Sequence, residues 1–154
     1  MTYAIIRVRG TVNIKPNIKK TLQLLNLKRV NHCVLIEENK VMNGMLQVIK
    51  DYVTWGEIND SVLSKLIEKR GMIKGNKKVT EEYIKTSTSF DNFLKISKSI
   101  IDKKFKYNEI PDIKPIFRLH PPKKGYEGIK RSFRNNGALG YRGKEINKLI
   151  ERMI

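Results

Sequence analysis

The sequence offers few side chains for acid–base, nucleophilic or metal chemistry. It holds one cysteine, Cys33, and two histidines, His32 and His120. A zinc site with four cysteine and histidine ligands cannot be assembled from three such residues. Cys33 and His120 could form a nucleophile and its base, but no spacing supports this pair, and a buried structural cysteine is the favoured interpretation. The sequence therefore predicts no catalytic residue, no metal site and no cofactor.

A second candidate for chemistry is the glycine-rich stretch that ends in Gly143 and Lys144. The phosphate-binding loop of nucleotide hydrolases requires the pattern G-x-x-x-x-G-K-[ST]. Here five residues separate Gly137 from Gly143, and Glu145 follows the lysine where the pattern requires serine or threonine. We interpret the stretch as a flexible turn before a helix.

Positive charge is the strongest chemical signal in the chain. Its 154 residues include 32 lysines and arginines against 15 acidic residues, a formal net charge of +17. This excess favours a polyanionic partner such as nucleic acid. No stretch approaches the ~20 consecutive apolar residues of a membrane span, and residues 1–7 do not resemble a secretory signal. Because a single cysteine also fits a reducing compartment, we expect a cytoplasmic protein that does not contact a membrane.

The charge is most concentrated between Lys114 and Lys144, where nine cations are opposed only by Glu127. Prolines and glycines interrupt this segment, so the sequence predicts a long basic loop over about residues 114–143. Arginine suits bidentate phosphate contacts, and Tyr126 and Phe133 could stack on bases. A solvated, disordered loop is the alternative. The candidate RNA-contacting residues in this segment are Arg118, His120, Lys123, Lys124, Lys130, Arg131, Arg134 and Arg142.

Hydrophobic periodicity predicts the elements that must position these charges. Tyr3–Val8 and Asn31–Ile36 read as strands, and a short third strand is expected over Tyr52–Glu57. Helical spacing begins near Pro16 after the first strand and near Met42 after the second. The resulting β-α-β-α-β order predicts an α+β sandwich of the ferredoxin-like type, in which an antiparallel sheet carries both helices on one face.

The chain beyond this unit is predicted to be a mostly helical extension. We place an RNA-binding core at residues 1–58 and the extension at 59–154. Apolar spacing indicates one helix between Asp60 and Gly71 and another after a cap near Ser89. A last helix is expected over Lys144–Ile154, after the basic loop.

Several cations of the predicted core lie at the ends of its elements. The candidate RNA-contacting residues there are Arg7, Arg9, Lys28, Arg29 and His32. Two interpretations of His32 stay open: a half-buried strand histidine bonded to backbone, or a contact to phosphate or ribose. The single tryptophan, Trp55, could stack on a base, but packing at the edge of the sheet is favoured because single aromatic residues usually bury area.

The residues between Thr21 and Val53 resemble a known signature. It is carried by Thr21, Leu22, Leu25, Leu27, Arg29, His32 and Val34, and then by Met45, Leu46, Ile49, Tyr52 and Val53. These residues resemble the L-thirty family of large-subunit ribosomal proteins. The segments Arg7–Gly10 and Leu119–Lys123 resemble the longer archaeal and eukaryotic branch of that family, whereas bacterial members resemble only the first ~60 residues, about one minimal domain.

The resemblance implies a structural protein of the large ribosomal subunit, without a catalytic role or a small-molecule substrate. It implies that large-subunit ribosomal RNA holds the protein, near 5S RNA and beside neighbouring ribosomal proteins. Within the signature, Arg29 and His32 are the implied RNA contacts. Two other functions stay open on the residues alone: a free-standing RNA chaperone or regulator, and a small-ligand enzyme on a ferredoxin-like core. The enzyme is less favoured because paired carboxylates, a nucleophile with its base and a cofactor fingerprint are all missing.

Overall fold

Three strands and two helices form in the predicted β-α-β-α-β order at the start of the chain. The computed structural model describes all residues from 1 to 154. Its first elements are β1 (Thr2–Arg7), α1 (Pro16–Leu24), β2 (His32–Glu37), α2 (Lys40–Ile49) and β3 (Val53–Glu57). These elements confirm the α+β, ferredoxin-like prediction.

The ends of α1 and α2 follow from the residues that occupy them. Pro16 begins α1, where its missing N–H leaves no helical hydrogen bond unmade. After the helix, Asn26 adopts a left-handed conformation with φ of 59°, which asparagine tolerates better than most residues. The Asn39 side chain accepts a hydrogen bond from the Met42 N–H at 2.7 Å and caps α2. The end of α1 precedes β2 and the cap of α2 follows it, so together they bound the strand whose first residue is His32.

The rest of the chain contributes four helices and three short strands. They are α3 (Asp60–Arg70), α4 (Glu81–Ser87), α5 (Phe93–Ile101), β4 (Phe117–Arg118), β5 (Gly128–Ser132), β6 (Gly137–Tyr141) and α6 (Ile146–Met153). The mostly helical extension is confirmed, although nothing in the sequence pattern predicts α4, and the helix expected near Ser89 begins at Phe93. No helix is both long and apolar enough to cross a bilayer.

Three strands lie inside the segment for which the sequence predicts a loop. All six strands form one sheet in the order β4-β2-β1-β3-β6-β5. Strands β2 and β3 are antiparallel to β1, and β4 is antiparallel to β2, whereas β6 is parallel to both β3 and β5. Periodicity misses these strands because they are short, and β5 and β6 also contain glycines. The extension therefore adds strands to both edges of the three-stranded sheet of the core.

A glycine and a proline determine how far the added strands pair. A Cβ on Gly137 would clash with the Arg131 carbonyl oxygen, so only glycine lets β6 approach β5. On the opposite edge, β4 pairs only with His32 and Cys33 of β2. Pro115, two residues before β4, has no N–H with which to continue this ladder.

The sheet lies between two layers of helices. On one face, α1 and α2 cover Tyr3, Ile5 and Trp55. On the other face, α3, α5 and α6 cover Ala4 and Ile6. The prediction that the first two helices share one face is confirmed. Trp55 is 6 % exposed and packs in this core, which confirms its packing role.

Cys33 is a structural residue, as the sequence predicts. It is fully buried between the sheet and the helices of the extension. Burial raises the pKa of its thiol to about 12, so the reactive thiolate is scarce at neutral pH. His120, the base suggested as its partner, is exposed. The buried thiol is therefore unsuited to act as a nucleophile.

Candidate nucleic-acid interface

A basic cleft opens where β4 pairs with the start of β2. The strand register places His32 opposite Arg118. This junction cleft has a cavity volume of about 560 Å³. The cations and the histidine that line it are Lys28, Arg29, His32, Lys114 and Arg118, and no acidic residue lines it. Candidates that are far apart in the sequence, one group in the core and one in the extension, therefore meet at one surface.

Arg7 holds the loop that carries two of these cations. Its Nη1 donates to the carbonyl oxygens of Leu27 at 2.7 Å and Lys28 at 3.0 Å, and its Nε donates to the Arg9 carbonyl oxygen at 2.9 Å. The sequence predicts Arg7 as an RNA contact, whereas the side chain is only 2 % exposed. Strand alternation is the reason, because Arg7 shares the face of β1 that packs under α1 and α2. Its observed contacts position Lys28 and Arg29.

Arg142, another candidate contact, is also buried. Its Nε donates to Thr54 Oγ1 at 2.9 Å, and its Nη2 donates to the Ala138 carbonyl oxygen at 3.1 Å. An ion pair of 3.3 Å joins it to Glu127, and the guanidinium lies 4.8 Å from the centre of the Phe133 ring. Burial lowers the pKa of Arg142, and the charge of Glu127 opposes this shift. These contacts tie the end of β6 to β3 and occupy one face of the Phe133 ring.

His32 is half-buried, and its Nδ1 has no hydrogen-bond partner. Burial lowers the pKa of the imidazole, and the charges of Arg118, Arg29 and Arg7 lower it further, while a hydrogen bond with the Asn26 backbone opposes them. The ring is therefore mainly neutral at pH 7. His32 is half-buried on its strand, as one interpretation expects, and a contact to phosphate or ribose stays a prediction. His32 contributes hydrogen-bonding capacity to the junction cleft, and the neighbouring cations contribute its charge.

The tail cations, a second basic group, lie on a segment whose backbone is anchored. They are the exposed residues Lys123, Lys124, Lys130, Arg131 and Arg134, and we group the exposed imidazole of His120 with them. The His120 N–H donates to the Met153 carbonyl oxygen at 3.0 Å. The Tyr126 hydroxyl donates to Asn31 Oδ1 at 2.6 Å, so this hydroxyl is used inside the protein. Contacts with α6 and with the loop before β2 thus fix the segment.

The sequence predicts Arg9 as a contact but does not predict Lys114. Arg9 is a predicted contact, and its guanidinium lies 5.0 Å from the centre of the Tyr52 ring, which holds it at the protein surface. Lys114 is not among the predicted contacts, yet it lines the junction cleft. Its position depends on a long-range bond from its N–H to the Met72 carbonyl oxygen at 2.8 Å. Local sequence around Lys114 carries no signal for that bond.

Comparisons with known proteins give one consistent result. A sequence profile described as Ribosomal protein L30p/L7e matches residues 3–53. Large ribosomal subunit protein uL30 of Thermoplasma volcanium is 52 % identical over 151 residues, which cover 98 % of this chain and 92 % of the relative. The uL30 proteins of Methanobrevibacter smithii and Methanocella arvoryzae are 48 % and 44 % identical, and each alignment covers at least 98 % of both chains. Because these relatives are 44–52 % identical over nearly its full length, this chain belongs to the L30p/L7e family of ribosomal proteins.

Proposed function

We propose that this protein is a structural constituent of the large ribosomal subunit, where it binds and stabilises ribosomal RNA. Its relatives are named as proteins of that subunit. The observation that carries the proposal is the junction cleft, in which cations of the core and of the extension meet without an acidic residue. A cleft of one sign of charge focuses its field and attracts a polyanion.

The proposed contacts are of two kinds. Exposed cations neutralise phosphates and supply most of the affinity, with little selectivity for sequence. The shape of the junction cleft supplies complementarity to the RNA, and the imidazole of His32 supplies hydrogen bonds. The direct contacts that we propose are Arg9, Lys28, Arg29, His32, Lys114, Arg118 and the tail cations. Arg142 acts indirectly, because it holds the strand that precedes α6.

We also propose that the protein acts in the cytoplasm, near 5S RNA and beside other ribosomal proteins. This part rests on the family resemblance of the signature and of the longer branch. Crosslinking of the protein in intact large subunits, followed by sequencing of the attached RNA, tests it. Recovery of 5S fragments supports the proposed position. Recovery of large-subunit RNA without any 5S fragment contradicts it.

Co-sedimentation tests the main proposal. In high-magnesium gradients the tagged protein should travel with large subunits, whereas a free-standing RNA chaperone or regulator should stay near the top. A matched pair of variants tests the cleft, because Arg118→Gln and Lys85→Gln each remove one exposed positive charge, the first from the cleft and the second from α4. Arg118→Gln should reduce incorporation in competition with the unchanged protein, and Lys85→Gln should not. Equal effects of the two variants would contradict a role for the cleft.

A further inference from the structure

A second, smaller cavity shares Lys28 with the junction cleft. We call it the Arg7 pocket, and its volume is about 230 Å³. It is lined by Arg7, Thr11, Lys19, Leu22, Gln23 and Lys28. The lining thus offers three cations, one hydroxyl and one amide, and it contains no carboxylate.

The Arg7 guanidinium is buried without a counter-charge. Its three hydrogen bonds all go to backbone carbonyl oxygens, and its Nη2 has no hydrogen-bond partner. Arg7 forms no ion pair, whereas the other buried arginine, Arg142, is paired with Glu127. Burial lowers the pKa of Arg7, and only Tyr52 opposes that shift. A buried charge is costly unless it is paired and fully hydrogen-bonded. The positive charge of Arg7 and its unpartnered Nη2 can therefore still bind an anion.

We propose that the Arg7 pocket binds one phosphate group. Arg7 and the two lysines supply positive charge, and the Thr11 hydroxyl and the Gln23 amide supply neutral donors. A phosphate fits this lining better than a carboxylate, because its oxygens can satisfy several donors on different sides. The space suffices as well, since one water occupies about 30 Å³ and the cavity holds about 230 Å³.

Two sources could supply the phosphate. One is the backbone of the bound RNA, and this source rests on the proposed function. The other is free inorganic phosphate. Lys28 lines both the pocket and the junction cleft, so an RNA strand in the cleft has a phosphate-binding site directly beside it. We favour the RNA backbone for that reason.

Inorganic phosphate tests the pocket without RNA. Thermal melts of the full chain in phosphate and in chloride at equal ionic strength should differ, with the melting temperature about 2–4 °C higher in phosphate if the site is well occupied. Lys19→Gln and Thr11→Val change exposed lining residues and should abolish the difference while the protein stays folded. Lys20→Gln removes the next lysine of α1, which does not line the pocket, and should keep it. The same difference in all four proteins, or no difference in the unchanged protein, overturns the proposal.

RNA titrations then identify the source. If the RNA backbone supplies the phosphate, Lys19→Gln should weaken binding of a large-subunit RNA fragment about tenfold, and Lys20→Gln should weaken it much less. If the two variants bind RNA equally but differ in the phosphate melts, free phosphate is the ligand and the RNA source is overturned. If the unchanged protein binds no RNA, the proposed function fails. The thermal melts in phosphate still show whether the Arg7 pocket binds a phosphate group.

Discussion

A substitution of Arg29 should change the affinity for RNA while leaving the free energy of unfolding almost unchanged. Its side chain is exposed and lines the junction cleft, and it forms no ion pair within the protein. Arg29→Ala should therefore lower RNA affinity by about 1–2 kcal/mol, the order of a charge-assisted hydrogen bond, with almost no change in unfolding. RNA titration and a denaturant melt measure the two effects. An unfolded variant, or unchanged RNA binding, would show that this contact is misplaced.

His32 should make stability and RNA binding depend on pH in opposite directions. Its pKa in the folded protein lies below the ordinary 6.5, so the unfolded chain binds the proton more readily. The free protein should therefore lose stability as pH falls through 6.5 towards the lowered pKa. A phosphate beside the ring raises its pKa, so RNA binding should take up a proton and strengthen over the same interval.

Proton NMR titration of the imidazole, with and without RNA, measures both pKa values of His32. The signal is assigned with His32→Gln, since His120 is the only other histidine. In that variant the part of the pH dependence that belongs to His32 should vanish. A His32 pKa that RNA leaves unchanged would place the phosphate elsewhere.

At the scale of elements, Gly137 controls whether β5 can pair with β6. A side chain there meets the backbone of β5, so Gly137→Ala should destabilise the protein by about 2–3 kcal/mol through overpacking. Gly44, an exposed glycine inside α2 with open space around it, provides the contrast. Gly44→Ala should stabilise the protein by about 0.5–1 kcal/mol. Chemical denaturation of both variants checks the opposite signs, and a loss of stability at both positions would contradict this account.

The sequence predicts the elements whose apolar residues repeat with a clear period. Strand β1 is a short run of mostly apolar residues buried on both faces, and α1 and α2 carry apolar stripes, so their order and their shared face can be predicted locally. Strands β4 and β6 cannot, because they pair with β2 and β3, which are distant in the chain, and β5 joins the sheet only through β6. The junction cleft shows the same limit. Arg29 and Arg118 can each be predicted as a candidate contact, but only the register of β4 on β2 brings them together.

The charge of the whole molecule should govern its affinity for RNA. If about five of the exposed cations contact phosphates, the logarithm of the binding constant should fall with the logarithm of salt concentration with a slope of about −4. Titrations of the isolated protein over a range of salt concentrations measure this slope. A slope near zero would rule out the electrostatic mechanism and leave shape as the sole basis of recognition.

The bond from His120 to Met153 also has a consequence for truncated forms of the protein. The strand that completes the junction cleft leads directly into His120, and the acceptor of this bond belongs to α6. A chain that lacks residues 146–153 has the cations of the cleft but not the contact that anchors the segment after it. Its positive charges therefore lie on a segment that is free to move. Premature termination before α6 should accordingly yield a protein that holds RNA loosely at many places instead of firmly at one.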